Sequence, residues 1–160
     1  MKEELASQFA GVTALQAPAG GRLSPNATLH TLIAEVTEPY RDERAECRIV
    51  VTGPDYPLGR NAVTNVALLI HEFATNALKY GALADPSGQV QIECSDQGDD
   101  VYVTWREAGV VSRAGETARE GFGSRLARAA ITALNGSFSR HFTGGGLEIR
   151  LTVPQAKIRE

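Results

Sequence analysis

Hydrophobic residues recur at three- and four-residue intervals in three stretches of the chain, and each stretch predicts a helix. The longest stretch runs from Arg60 to Tyr80, and its apolar stripe must face a sheet or core. An earlier helix is predicted from Ser24 to near Pro39. A third begins at Gly121 and is ended by Gly136. Its expected inward residues are Leu126, Ala127, Ala130, Ile131 and Leu134.

Alternation of apolar and polar residues predicts the strands. Gln89–Ser95 and Asp100–Arg106 are predicted to pair as a hairpin, with the turn at residues 96–99. Residues 137–142 and 147–153 predict a second hairpin around three glycines, and residues 47–51 predict a fifth strand. This pattern predicts an α+β fold, a two-layer sandwich with about three helices on one face of a mostly antiparallel sheet.

Composition predicts one main domain, because 160 residues with 42% hydrophobic and 22% charged side chains are typical of a globular unit. A net charge of −3 argues against a nucleic-acid coat. We find no apolar run that could span a membrane and no secretory signal, so we expect a cytoplasmic protein. Cys47 and Cys94 are expected to be free core thiols, because neither has a neighbour at ligand spacing.

Three polar residues share one face of the long predicted helix. Glu72, Asn76 and Lys79 lie at positions i, i+4 and i+7, roughly opposite the apolar stripe. Such a face is often only solvated. The alternative is a magnesium site, because a carboxylate and an amide supply the few protein oxygens that Mg²⁺ takes beside phosphate. Lys79 would then contact the phosphate.

Strand parity identifies Glu107 as a candidate site residue. Val101, Val103 and Trp105 are predicted to face the core, and Glu107 is the next residue of that parity. Because burial of an unpaired carboxylate is costly, Glu107 either ends a frayed strand in water or accepts hydrogen bonds, for example from an exocyclic amine.

Residues 121–124, with the sequence Gly-Phe-Gly-Ser, open a predicted helix. Bare backbone at a helix N-terminus favours an anionic oxygen. A tight turn between a loop and a helix explains the same residues, so both interpretations stay open at this stage.

Together these residues resemble a known family. The run from His71 to Leu83, with the sequence HEFATNALKYGAL, is similar to the N box of histidine kinase catalytic domains, in the form found in HWE-type sensor kinases. That subfamily is named for a His in the N box and a Trp-x-Glu in the next box, which His71, Trp105 and Glu107 match. Residues 121–126 resemble the G2 box. The resemblance covers about residues 28–154.

The resemblance implies a Bergerat-type ATP-binding sandwich that uses ATP and Mg²⁺. Asn76 would hold Mg²⁺, and Glu72 would polarise water or help to orient the ion. Lys79 would approach the phosphates, and Tyr80 would pack near the nucleotide. Glu107 would replace the Asp that recognises adenine in the wider family. The other nucleotide-binding residues that the resemblance implies are Gly109, Gly121, Phe122, Gly123 and Ser124.

The resemblance also implies partners. The chain would transfer the ATP γ-phosphate to a histidine on another domain, and a response regulator would complete the system. Residues 1–27 would be the remnant of an upstream dimerisation helix and its linker, and residues 28–158 the catalytic domain. The histidines of this chain are poor acceptors, so we expect no autophosphorylation in cis. They are His30, His71 and His141.

One departure from the family pattern lies at the base of the implied ATP lid, residues 109–120. The chain has Glu-Ala-Gly-Val-Val at residues 107–111, where the subfamily usually continues Glu-x-Gly-Gly-Pro. Two alternatives stay open, and the altered lid base bears on the first of them. One is a non-catalytic interaction module of the same fold. The other is a Bergerat-fold ATPase or serine kinase in which Glu72 acts as general base.

Overall fold

The computed structural model describes residues 27–41, 48–109 and 125–160. In chain order the elements are α1 (Leu29–Thr37), β1 (Ile49–Thr52), α2 (Arg60–Tyr80), β2 (Gln89–Gln97), β3 (Asp100–Ala108), α3 (Arg125–Ala133), β4 (Ser137–Thr143), β5 (Gly146–Pro154) and α4 (Gln155–Ile158). Two 3-10 turns, Glu38–Tyr40 and Ala82–Ala84, follow α1 and α2 respectively.

The strands form one mixed sheet in the order β1-β2-β3-β5-β4. β1 runs parallel to β2, and the other neighbours are antiparallel. Both predicted hairpins and the predicted fold class are therefore confirmed. Glu107 is the second-last residue of β3, and it pairs with Val90 of β2 on one side and with Leu147 of β5 on the other.

The core lies between this sheet and α2, which also contacts α1 and α3. The ring centroids of Phe73 on α2 and Trp105 on β3 are 5.8 Å apart and tilted by 60°, a favourable aromatic geometry. The predicted apolar stripe of α2 is buried throughout, which confirms its orientation. Its members are Val63, Val66, Ala67, Ile70, Phe73, Ala74 and Ala77.

The sheet face opposite α2 is polar. Arg106 on this face lies 3.1 Å from a carboxylate oxygen of Glu93. The guanidinium of Arg150 lies 5.4 Å from the centroid of the Tyr102 ring. Side chains of the described residues thus divide the sheet into an apolar face that packs on helices and a face of charged and polar groups.

Several details differ from the predictions. Leu126, predicted to point inward, is 43% exposed, because the buried side of α3 is formed by Ala127 and Ala130. β2 extends to Gln97, so the first hairpin turn is shorter than predicted. The four-residue helix α4 has no counterpart in the prediction, since it is too short to show a helical period.

Cys94 is a buried free thiol on β2. Burial, with the charges of Asp55 and Glu93, raises its pKa to about 12, so the unreactive protonated form dominates at neutral pH. Cys47 lies outside the described residues. Within the described ranges, no helix has both the length and the apolar character needed to cross a bilayer.

Candidate functional site

The polar face of α2 is placed as the sequence predicts. Glu72 and Asn76 are half-buried, and Lys79 is exposed in the last turn of the helix. None of the three belongs to the buried stripe that faces the sheet. A carboxylate and an amide oxygen on one partly exposed face fit the oxygen preference of Mg²⁺, which needs only one or two protein ligands when phosphate is present.

Tyr40 adjoins this face, although the sequence pattern gave no indication of it. Its hydroxyl lies 3.2 Å from Nδ1 of His71, and the two ring centroids are 6.1 Å apart. Burial raises the pKa of Tyr40, and the negative charge of Glu72 raises it further. A tyrosine from the 3-10 turn that follows α1 therefore connects this turn to the N box.

His71 is a packed histidine, half-buried beside Tyr40. Its Nε2 is buried, and no hydrogen-bond partner for that atom lies among the described residues. Burial lowers the pKa of His71 below its usual 6.5. The neutral imidazole is therefore the form that the folded chain favours.

A pH dependence of stability follows from the lowered pKa of His71. Above about pH 6.5 the imidazole is neutral in both the folded and the unfolded chain, and its full contribution to the free energy of unfolding is present. As the pH falls, the unfolded chain takes up the proton first, so the free energy of unfolding decreases until the folded-state pKa is reached. Denaturant unfolding measures this effect. Between about pH 7 and pH 5, we expect the free energy of unfolding to decrease less in the His71→Gln variant than in the unaltered chain. His141→Gln, at an exposed residue of β4, is the control and should behave like the unaltered chain. Equal pH slopes for all three chains would contradict the prediction.

Glu107 is buried, with 3% of its surface exposed. Its Oε1 accepts a hydrogen bond from the backbone N–H of Ala82 at 3.0 Å, and its Oε2 accepts one from the indole N–H of Trp105 at 2.9 Å. The frayed-strand alternative is therefore wrong, because the residue is paired in the sheet and its carboxylate has protein donors. Protein donors thus orient both carboxylate oxygens.

The bond between Ala82 and Glu107 brings the end of α2 to the end of β3, since Ala82 lies two residues beyond that helix. Tyr80, the last residue of α2, is half-buried at this junction. Two predicted parts of the site, the N box and the Trp-x-Glu box, thus meet in space. Sequence reasoning missed Ala82, because a backbone donor has no residue-type signal.

Gly109 directly follows β3, and its φ of +117° strongly favours glycine. A Cβ at Gly109 would come within 2.9 Å of the Cα of Gly88. The start of the predicted lid is therefore packed closely against the segment between α2 and β2. The remaining predicted nucleotide-binding residues lie outside the described ranges: Gly121, Phe122, Gly123 and Ser124.

Several solved structures with a similar fold are histidine kinase domains. The histidine kinase domain of a blue-light activated histidine kinase from Erythrobacter litoralis superposes with a TM-score of 0.65 at 20% identity, over 96% of this chain and 77% of that one. The catalytic domain of the histidine kinase ThkA gives 0.60 at 16% identity, over 82% and 97%. The histidine kinase domain of the E. coli osmosensor EnvZ gives 0.57 at 14% identity, over 85% and 92%. The fold is that of a histidine kinase catalytic domain.

Sequence comparison gives the same class. The chain is 40% identical over 125 residues to blue-light-activated histidine kinase 1 of Erythrobacter litoralis, a match covering 77% of this chain and 34% of that protein. It is 31% identical over 134 residues to a blue-light-activated histidine kinase of Rhizobium johnstonii, covering 82% and 37%. No family model matches. The chain is thus a relative of histidine kinases over the part of them that has this catalytic-domain fold, and it spans about a third of the length of these relatives.

Proposed function

We propose that the chain binds Mg²⁺-ATP where α2 and β3 end, and presents the γ-phosphate to a histidine of another domain. The observation that carries the proposal is the buried Glu107 carboxylate, which the fold holds beside the end of the N-box helix. A fixed carboxylate between the sheet partners Val90 and Leu147 is suited to accept a hydrogen bond from the exocyclic amine of adenine. The resemblance to the family gives Glu107 the same role.

In this proposal the polar face of α2 handles the phosphates. Asn76, with Glu72 beside it, would hold Mg²⁺, and Lys79 would approach the phosphate oxygens. The bound ion would supply positive charge where negative charge accumulates during phosphoryl transfer. Because the transition state of this reaction is loose, the chain contributes mainly by positioning groups and by offsetting charge.

The acceptor histidine belongs to a separate phosphoacceptor domain in this proposal, and a response regulator receives the phosphoryl group afterwards. In the described part of the chain, His30 contacts the Pro54 carbonyl oxygen through Nε2, and His71 contacts Tyr40. These contacts make neither imidazole a good acceptor of the γ-phosphate. We also propose that the chain belongs to the HWE subfamily. Its catalytic domain would be residues 28–158, with residues 1–27 as an upstream remnant. Its location would be the cytoplasm, where ATP is available.

Calorimetric titration with a non-hydrolysable ATP analogue, with and without Mg²⁺, tests the proposal. We expect magnesium-dependent binding of micromolar to sub-millimolar strength. Transfer of labelled γ-phosphate to the separately produced phosphoacceptor domain of a related kinase then tests the reaction. A folded chain that binds no nucleotide would instead be an interaction module. Steady phosphate release from ATP by the isolated chain would favour the ATPase alternative.

A further inference from the structure

Arg48 joins the start of the sheet to the segment between α2 and β2. Its Nε donates to the carbonyl oxygen of Gly88 at 2.8 Å. Its Nη2 donates to the carbonyl oxygens of Ala82 at 2.9 Å and Asp85 at 2.6 Å. A guanidinium suits this task, because its donors form a rigid planar fork, whereas a lysine ammonium is a compact charge on a flexible stem.

The segment that Arg48 binds also supplies a donor to the proposed nucleotide site. Ala82 accepts a hydrogen bond from Arg48 through its carbonyl oxygen and donates its N–H to Glu107. Fixing this residue therefore fixes one of the donors that the described residues give to the Glu107 carboxylate. The segment is held tightly elsewhere too, since a Cβ at Gly88 would overlap the Ala82 carbonyl oxygen.

A turn shapes the segment that Arg48 binds. The side chain of Asp85 accepts hydrogen bonds from the backbone N–H of Ser87 at 2.8 Å and from its hydroxyl at 2.7 Å. These bonds lower the pKa of Asp85, and the positive charge of Arg48 contributes to the same shift. Local turn chemistry thus shapes the segment, and Arg48 attaches it to β1.

We infer that Arg48 is a positioning residue for base selection: it fixes the segment from Ala82 to Gly88 so that the Glu107 carboxylate keeps one orientation towards the amine of adenine. The inference rests on the proposed function, which assigns adenine to Glu107. When Arg48 is replaced, the carboxylate stays buried but loses its fixed geometry. Preference for a base with a 6-amino group should then fall more than general affinity for nucleotide.

The first test needs no nucleotide. Trp105 is the only tryptophan of the chain, so its indole N–H gives a single ¹H–¹⁵N NMR signal. Because this N–H donates to Glu107, Arg48→Lys should shift the signal and speed its exchange with solvent by about tenfold. Arg150→Lys, an exposed arginine on β5, is the matched control and should leave the signal unchanged. An unmoved indole signal in Arg48→Lys overturns the inference.

The unaltered chain provides a measurement that does not depend on a variant folding. The backbone amide of Ala82 should be strongly protected from hydrogen exchange, because the bonds on both sides of this residue hold it. Rapid exchange of the Ala82 amide would overturn the inference without any substitution.

The second test compares ATP with purine riboside triphosphate, which lacks the 6-amino group. We expect Arg48→Lys to reduce the preference for ATP about tenfold, with little change in affinity for the analogue. Equal weakening of both nucleotides would indicate a purely structural role and overturn the inference, while the proposed function would stand. If the unaltered chain binds neither nucleotide, the proposed function fails and base selection fails with it. The indole signal then shows separately whether Arg48 and Glu107 are coupled.

Discussion

Asn76→Ala is expected to abolish magnesium-dependent nucleotide binding, with a loss of affinity of at least about a hundredfold. The substitution removes the amide oxygen that would hold the ion. It should leave the fold intact, because Asn76 is half-buried on the polar face of α2, outside the apolar stripe, and alanine is a strong helix former. Calorimetric titration with the ATP analogue, with and without Mg²⁺, measures the loss.

Asn65→Ala is the matched control for Asn76→Ala. Asn65 lies about three turns earlier on the same face of α2, and its Nδ2 donates to the carbonyl oxygen of Asn61 at 2.9 Å. We expect nucleotide binding by Asn65→Ala to equal that of the unaltered chain. A folded Asn76→Ala chain with normal magnesium-dependent binding would contradict the assigned role. An unfolded Asn76→Ala chain would contradict the orientation of the helix.

Glu107→Gln is expected to lose affinity for ATP and to lower the free energy of unfolding by about 1–3 kcal/mol. The carboxylate accepts from the N–H of Ala82 and from the indole N–H of Trp105. A glutamine has one acceptor oxygen, and its amide nitrogen would meet the other N–H donor. One buried donor is then left without an acceptor. Denaturant unfolding and nucleotide titration measure the two effects.

Glu93→Gln separates these effects from a general change of charge. Glu93 lies on the polar face of the sheet and pairs with Arg106 at 3.1 Å, with both side chains nearly half exposed. The free energy of unfolding should change by less than about 0.5 kcal/mol, because exposed ion pairs contribute little. A destabilised Glu107→Gln chain with unchanged ATP affinity would show that the carboxylate serves the fold and does not read the base.

The sequence alone was sufficient for the main elements and for the orientation of key residues. The period of α2 predicted which residues are buried, Phe73 among them, and strand parity predicted that Glu107 points inward. Both predictions succeed because helix and strand periods arise from local backbone geometry. The residue pattern of a short stretch is therefore enough to show them. Such patterns fail where an element is too short, as in α4, or at the edge of a stripe, as at Leu126.

The tertiary structure decided which distant groups contact one another. Glu107 meets Ala82 across 25 residues, Tyr40 meets His71 across 31, and Arg48 binds carbonyl groups 34 to 40 residues away. The contacts of Glu107 and Arg48 use backbone groups of their partners, so no spacing or composition could single those partners out. The sequence therefore determined the elements, their buried faces and the family resemblance. The packing of distant segments determined which groups orient the candidate site, because those contacts exist only once the sheet and α2 have come together.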